Sequence, residues 1–157
     1  MPRRRVLLGW HGASDEAIDG ILRDGFDPAR RGTGAGHMFG RAFYLAEKSS
    51  KGDLYAGPPA ARFRRPPAGR VRVLLCLVYC GRMHETRGHG DDWTGPAAEA
   101  AEHGGGPCDS VLAQARVGGG LMDSREFVVF DPARALPVAV VSYRHADGCE
   151  CSRCSIP

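Results

Sequence analysis

Four side chains able to grip a metal ion fall near the end of the chain: His145, Cys149, Cys151 and Cys154. Cys151 and Cys154 form a Cys-x-x-Cys knuckle, and Cys149 with Cys151 a Cys-x-Cys that can chelate as well. His145, Cys80 or Cys108 could complete a tetrahedral set, and the chemistry would be that of a structural zinc. The alternative is a flexible tail carrying free thiols. Three more features could do chemistry. His11 stands beside Gly12 at the end of an apolar run, Tyr44 and Tyr55 flank Lys51, and Glu126 heads another apolar run. Taken singly, each has a bland reading: a satisfied core histidine, core-filling rings and an exposed acid. Arginines cluster at Arg3, Arg4 and Arg5, at Arg30 and Arg31, and at Arg62, Arg64, Arg65, Arg70 and Arg72. Solvated loops explain them; an attraction for phosphates or acidic partners is the sharper alternative.

The elements that must position these groups follow from pattern. Arg5 to Trp10 reads as a buried strand. Ser14 stands at an N-cap position before Asp15 and Glu16, and Ile18, Ile21 and Leu22 follow at helical spacing up to a Gly25 stop. Residues 27 to 37 form a Gly- and Arg-rich loop, Phe43 to Leu45 a short strand, and Lys48 to Ala56 a weak helix diluted by Gly52. Residues 57 to 70 hold four prolines and four arginines and form a second loop. Val71 to Tyr79 is the strongest strand signal. Residues 83 to 107 read as irregular. Glu126 to Phe130 and Val138 to Tyr143 are two further strands joined closely enough for an antiparallel return. The class is α+β, antiparallel sheet with few helices. Residues 1 to 144 form one unit and residues 145 to 157 a Cys-rich tail of the same domain.

With 157 residues, 43% hydrophobic, 25% charged and a net charge of +3, the chain has the make-up of one globular domain and no strong bias toward nucleic acid. No run is long enough to span a bilayer, and the apolar stretch after the first arginines is too short for a secretory signal. The expected location is intracellular, cytoplasmic or nuclear, where six cysteines are thiols or metal ligands before they are disulfides.

Three segments in order carry a resemblance. Leu8-Gly9-Trp10-His11-Gly12-Ala13-Ser14 is similar to the first motif of the poly(ADP-ribose) polymerase family. The run from His37-Met38-Phe39-Gly40 through Phe43-Tyr44-Leu45-Ala46 to Lys51-Gly52-Asp53-Leu54-Tyr55 resembles its second motif. Asp123-Ser124-Arg125-Glu126-Phe127-Val128-Val129-Phe130 resembles the strand of the catalytic glutamate. Gly25-Phe26-Asp27 and the short spacing to Met38 are similar to the tankyrase branch. The match spans roughly residues 6 to 143.

The resemblance implies the ADP-ribosyltransferase fold and cleavage of the nicotinamide–ribose bond of NAD, with ADP-ribose passed to an acceptor, most simply a protein. It implies a His-Tyr-Glu triad of His11, Tyr44 and Glu126. Gly12 would pair through its backbone with the nicotinamide carboxamide, Tyr55 would stack on the ring, and Tyr44 would line the opposite side. His11 would bind a ribose hydroxyl, while Glu126 would take the 2′-hydroxyl and face the cationic ring. Lys51 would help orient the acceptor, and Arg30 or Arg31 would meet the pyrophosphate. Ser110 matches a family serine less closely. The chain departs at Gly52, where many members carry a serine that binds nicotinamide; Ser50 or a water would have to compensate. Ala42 replaces a glycine. The zinc site that tankyrases carry after the second tyrosine has no counterpart, because residues 57 to 70 contain neither Cys nor His. Few residues precede the first motif, so an open site is expected. The compact acceptor-side region after residue 83 is shorter than in the chain-elongating members, so mono- or short oligo-ADP-ribosylation is expected. Two alternatives stand: a silent module that binds NAD or ADP-ribose, and a transferase of the same fold acting on nucleic acid.

Overall fold

The computed structural model describes residues 5–31, 38–66, 68–88 and 108–156. Among these residues seven strands form one sheet: β1 (Val6–Gly12), β2 (Phe43–Ala46), β3 (Val71–Tyr79), β4 (Met83–Thr86), β5 (Ser110–Ala113), β6 (Glu126–Val129) and β7 (Ala135–Tyr143), in the order β4-β5-β6-β2-β1-β3-β7. Two α-helices accompany it, α1 (Asp15–Asp24) and α2 (Ser49–Asp53).

Local chemistry starts and stops α1 as the pattern requires. The Ser14 hydroxyl accepts from the Ala17 N–H at 3.2 Å, Asp15 and Glu16 occupy the first turn, and Gly25 at φ 80° donates its N–H to the Ile21 carbonyl. Ile18 is fully buried against the sheet, and Arg72 of β3 reaches Asp15 and Asp19 across the exposed side.

The antiparallel α+β expectation holds for every strand pair but one: β4 and β5 run parallel. The sheet is therefore mixed. The reading of residues 83 to 107 as irregular is corrected at its start, where Met83–Thr86 is a strand; residues 89–107 lie outside the described set. β5 carries no alternation to reveal it, because all four of its residues are buried. Leu112 and Phe127 face one core cluster, while Val111, Ala113 and Val128 face another, so β5 and β6 are covered on both sides. β7 begins at Ala135, ahead of Pro137. Edge position permits this: Pro137 lacks a donor, and the β3–β7 ladder shifts register opposite it, between Leu75 and Cys76.

Helix α2 is shorter than the sequence suggested. It ends at Asp53, and the chain then turns through a 3-10 segment, Pro59–Ala61, back to Phe63, whose N–H bonds the Leu54 carbonyl at 3.0 Å. Phe63 holds φ 53°, an uncommon backbone state for a side chain of this size.

Candidate active site

Three adjacent strands carry His11, Tyr44 and Glu126. β2 lies between β1 and β6, with Trp10 opposite Ala46 and Ala46 opposite Glu126. His11 at the end of β1, Tyr44 in β2 and Glu126 at the start of β6 thus stand on three neighbouring strands, with the His11 ring packed on Phe26 and the Tyr44 ring on the cluster of Phe39 and Val128.

The His11 ring is fixed by a bond. Its Nδ1 lies 3.0 Å from the Tyr44 carbonyl, which can only accept. Nδ1 therefore carries the proton, and Nε2 keeps a lone pair for a donor such as a ribose hydroxyl. Burial pushes the His11 pKa down, with the Arg62 guanidinium adding to the effect and the Tyr44 bond opposing it, so the neutral form is favoured. Phe26 holds the ring edge-on at 5.1 Å.

Tyr44 does its local work through its hydroxyl, which donates to the Gly40 carbonyl at 2.7 Å and accepts from the Phe39 N–H at 3.1 Å. It closes the turn that precedes β2. Its carbonyl meanwhile orients His11, so one residue ties the middle motif to the first.

Glu126 is buried, 7% exposed, which removes the reading of it as a surface acid. Burial raises its pKa, and the Lys51 ammonium, 3.3 Å from Oε1, pulls it back down. Lys51 also lies 5.7 Å above the Tyr55 ring and 6.0 Å from the Phe63 ring. Tyr55 and Phe63 meet edge to face at 4.7 Å. Burial and the nearby Glu126 charge push the Tyr55 phenol up to about 12, so it stays neutral.

Gly12 is pressed against the end of α2. A Cβ there would stand 1.8 Å from the Gly52 carbonyl oxygen and 3.1 Å from the Ala56 nitrogen. Gly52 faces inward too; a Cβ on it would meet the Trp10 Cβ at 3.3 Å. Ser50 is exposed and two helical positions away, on the other side of α2 from Gly52. The structure does not bring it to the Gly12 side. Arg30 is exposed and pairs with Asp27 at 3.7 Å, while Arg31 donates to the Pro28 and Phe130 carbonyls. Ser110 is buried and donates to the Cys80 carbonyl at 2.6 Å, a structural role. His37, which opens the middle motif, and residues 32–37 as a whole lie outside the described set.

A family model for the poly(ADP-ribose) polymerase catalytic domain matches residues 2–145. The chain belongs to that family. It is also similar to the poly [ADP-ribose] polymerase tankyrase of Caenorhabditis elegans, 28% identical over 158 aligned residues. That alignment covers 86% of this chain and 7% of the relative, so the chain spans a small part of its length. Both likenesses agree with the resemblance read from the three motifs.

A second cluster lies at the C-terminal end. The ligand atoms of His145, Cys149, Cys151 and Cys154 all lie within 4.8 Å of one another, and such a group could hold a metal ion. Of the candidates for the fourth ligand the structure brings in His145. Cys80 and Cys108 are buried elsewhere, their thiols pushed up by burial. Sequence reasoning gave no role to several residues that matter here. Asp53 accepts from Tyr143 Oη at 2.5 Å and Arg153 Nη1 at 3.0 Å, and lies 3.2 Å from His145 Nε2. Arg153, fully buried, donates to four backbone carbonyls, those of Asp53, Ala56, Ala61 and Arg64. Arg62 has a buried Nε without a hydrogen-bond partner and sits near enough to His11 and Tyr55 to bias both. An arginine between two cysteines, or in an Arg-rich loop, carries no sequence signal of such a role. Among the described residues no helix is long and apolar enough to cross a membrane.

Proposed function

We propose that this domain is an NAD-dependent ADP-ribosyltransferase acting on protein, adding single units or short chains. The observation that carries the reading is the buried Glu126 carboxylate beside Lys51, on the strand next to the one that orients His11. Burying a carboxylate costs stability, and in this reading a pure binder would not need one at the anomeric carbon.

In this reading Gly12 holds the carboxamide of nicotinamide through its backbone, and the Tyr55 ring stacks against nicotinamide with Phe63 bracing its edge. The lone pair of His11 Nε2 accepts from a ribose hydroxyl, and the exposed Arg30 meets the pyrophosphate. The bond between C1′ and the nicotinamide nitrogen breaks, and the electron pair leaves with nicotinamide. Positive charge grows on the ribose ring, and Glu126 stabilises it through proximity and through the 2′-hydroxyl. An acceptor nucleophile then bonds to C1′ and passes its proton to the Glu126 carboxylate, with Lys51 orienting the acceptor beside it. A zinc ion in the His145, Cys149, Cys151 and Cys154 group belongs to the same reading, as a structural part of the domain.

The test is incubation with labelled NAD beside a Glu126→Gln variant, followed by mass analysis. ADP-ribose on protein from the parent, with none or single units from the variant, supports transfer with Glu126 in this role. A folded parent that neither modifies protein nor releases nicotinamide sinks it. Gly52 leaves one rival standing, a silent module binding NAD or ADP-ribose, because the family's serine hydroxyl for nicotinamide is missing there. The second outcome with retained NAD binding would establish that module.

A further inference from the structure

The His145 nitrogen and the three cysteine sulfurs at the C-terminal end are spaced, nitrogen to sulfur, as a metal would space them. His145 Nδ1 lies 3.9, 3.4 and 3.2 Å from the sulfurs of Cys149, Cys151 and Cys154. Zinc bonds of about 2.3 Å to sulfur and 2.05 Å to nitrogen give a tetrahedral N···S edge of about 3.5 Å, in the middle of that range. The other imidazole nitrogen is also engaged: Nε2 lies 3.2 Å from Asp53 Oδ1. A carboxylate on the far side of a ligating imidazole fixes the ring's orientation and tautomer for the metal.

That carboxylate is not a bystander. Asp53 is the last residue of α2, two positions after Lys51 and two before Tyr55. The knuckle returns a second connection to the same place. Arg153 lies between Cys151 and Cys154, is wholly buried, and binds both Asp53 Oδ1 and the carbonyls of residues 53, 56, 61 and 64. Those carbonyls bracket Tyr55 on one side and Phe63 on the other. The 53–64 segment is otherwise proline-rich, with a single 3-10 turn and a backbone outlier at Phe63, so little regular structure fixes it.

We infer that a zinc ion held by His145, Cys149, Cys151 and Cys154 is a positioning element of the donor pocket, acting through Asp53 and Arg153 on the segment that carries Tyr55 and Phe63. The ion takes no part in transfer. It closes the knuckle, the knuckle aims Arg153, and Arg153 sets the aromatic wall against which nicotinamide would lie. The inference rests on the transferase reading for what the wall binds, and not for the wall's dependence on metal.

The experiment uses the full chain in three forms: zinc-loaded, chelator-stripped and Arg153→Lys. Elemental analysis should give one zinc per chain, and intact mass should show four-ligand chains with no disulfide. Hydrogen exchange of the backbone amides of 54–64 should rise on stripping, while β1 and β3 stay protected, and zinc should reverse it. Arg153→Lys should retain zinc yet leave 54–64 deprotected. A non-hydrolysable NAD analogue should bind at least about tenfold more weakly to the stripped form, within the usual span of couplings between sites. A chain that takes up no zinc, or pairs two of these cysteines as a disulfide, overturns the inference. So does a zinc-loaded chain whose 54–64 amides and analogue affinity ignore stripping. If exchange responds but the loaded chain binds no analogue, the metal-dependent wall stands and the NAD reading fails.

Discussion

Replacing Gly12 by alanine is the sharpest probe of the site, because the structure fixes its size. The new Cβ would stand 1.8 Å from the Gly52 oxygen and 2.8 Å from the Gly52 carbon. A carbon and a carbonyl oxygen rest at about 3.3 to 3.6 Å, so roughly 1.5 Å must be found by backbone movement. No flexible side chain can absorb it, since the obstructing atoms are main chain. Overpacking of this kind costs about 1–3 kcal/mol. For a domain of this size 2 kcal/mol lowers the melting temperature by roughly 4–8 °C. The functional cost is larger. Gly12 and the start of the Tyr55 segment are the two surfaces being pushed apart, and a misplacement of about 1 Å can cost on the order of 100-fold in rate. The assay is thermal unfolding beside nicotinamide release from NAD. Expected is a folded variant, modestly less stable, with kcat/KM for NAD down by about two orders of magnitude. A variant within threefold of the parent would refute the assignment of Gly12 to the nicotinamide pocket.

Gly52→Ser makes the opposite test: its Cβ would be 3.3 Å from the Trp10 Cβ, so a shift of a few tenths of an ångström accommodates it. One added hydrogen bond of about 1 kcal/mol should tighten nicotinamide binding roughly fivefold, read by calorimetry; weaker binding would show that the gap is filled by packing against Trp10. Burial holds the Glu126 pKa above the ordinary carboxylate range and Lys51 lowers it, so the acid limb of kcat/KM should lie above that range and move to higher pH in Lys51→Met. A limb that stays put would detach Lys51 from Glu126. His11 is held neutral by burial, so the unfolded chain binds more protons in mild acid. Its contribution is whole above about pH 6.5 and is lost as pH falls toward its folded value, and His11→Gln should flatten that part of the stability profile in denaturant titrations. Arg153→Met leaves Asp53 buried without its guanidinium partner and unbonds four carbonyls; a loss of about 3–5 kcal/mol is expected by chemical unfolding, and a loss under 1 would deny Arg153 its part in holding 53–64.

What could be read without coordinates was whatever is carried by neighbours in the chain. The caps of α1, the apolar run of β3, the order of the three motifs and the Cys-x-x-Cys all lie within a few residues, and local chemistry governs each. The family followed from them, and with it the expectation that His11, Tyr44 and Glu126 belong together. Packing decided the rest. β4 and β5 could not be read, because strands of four residues, one of them buried on both faces, lack the alternation that marks a strand. Glu126 looks the same in sequence whether exposed or buried; only the β2–β6 register and the core around it put the carboxylate inside, next to Lys51. Nor does sequence say that Gly52 and Gly12 touch, a contact between a strand end and a helix end that only the folded chain brings together. Arg153 is the clearest case. Between its cysteines it reads as one more surface arginine, yet the fold carries it across a separation of about ninety to a hundred residues to the carbonyls around Tyr55. A side chain whose partners are main-chain oxygens leaves no pattern in the residues it binds, so its role exists only in three dimensions.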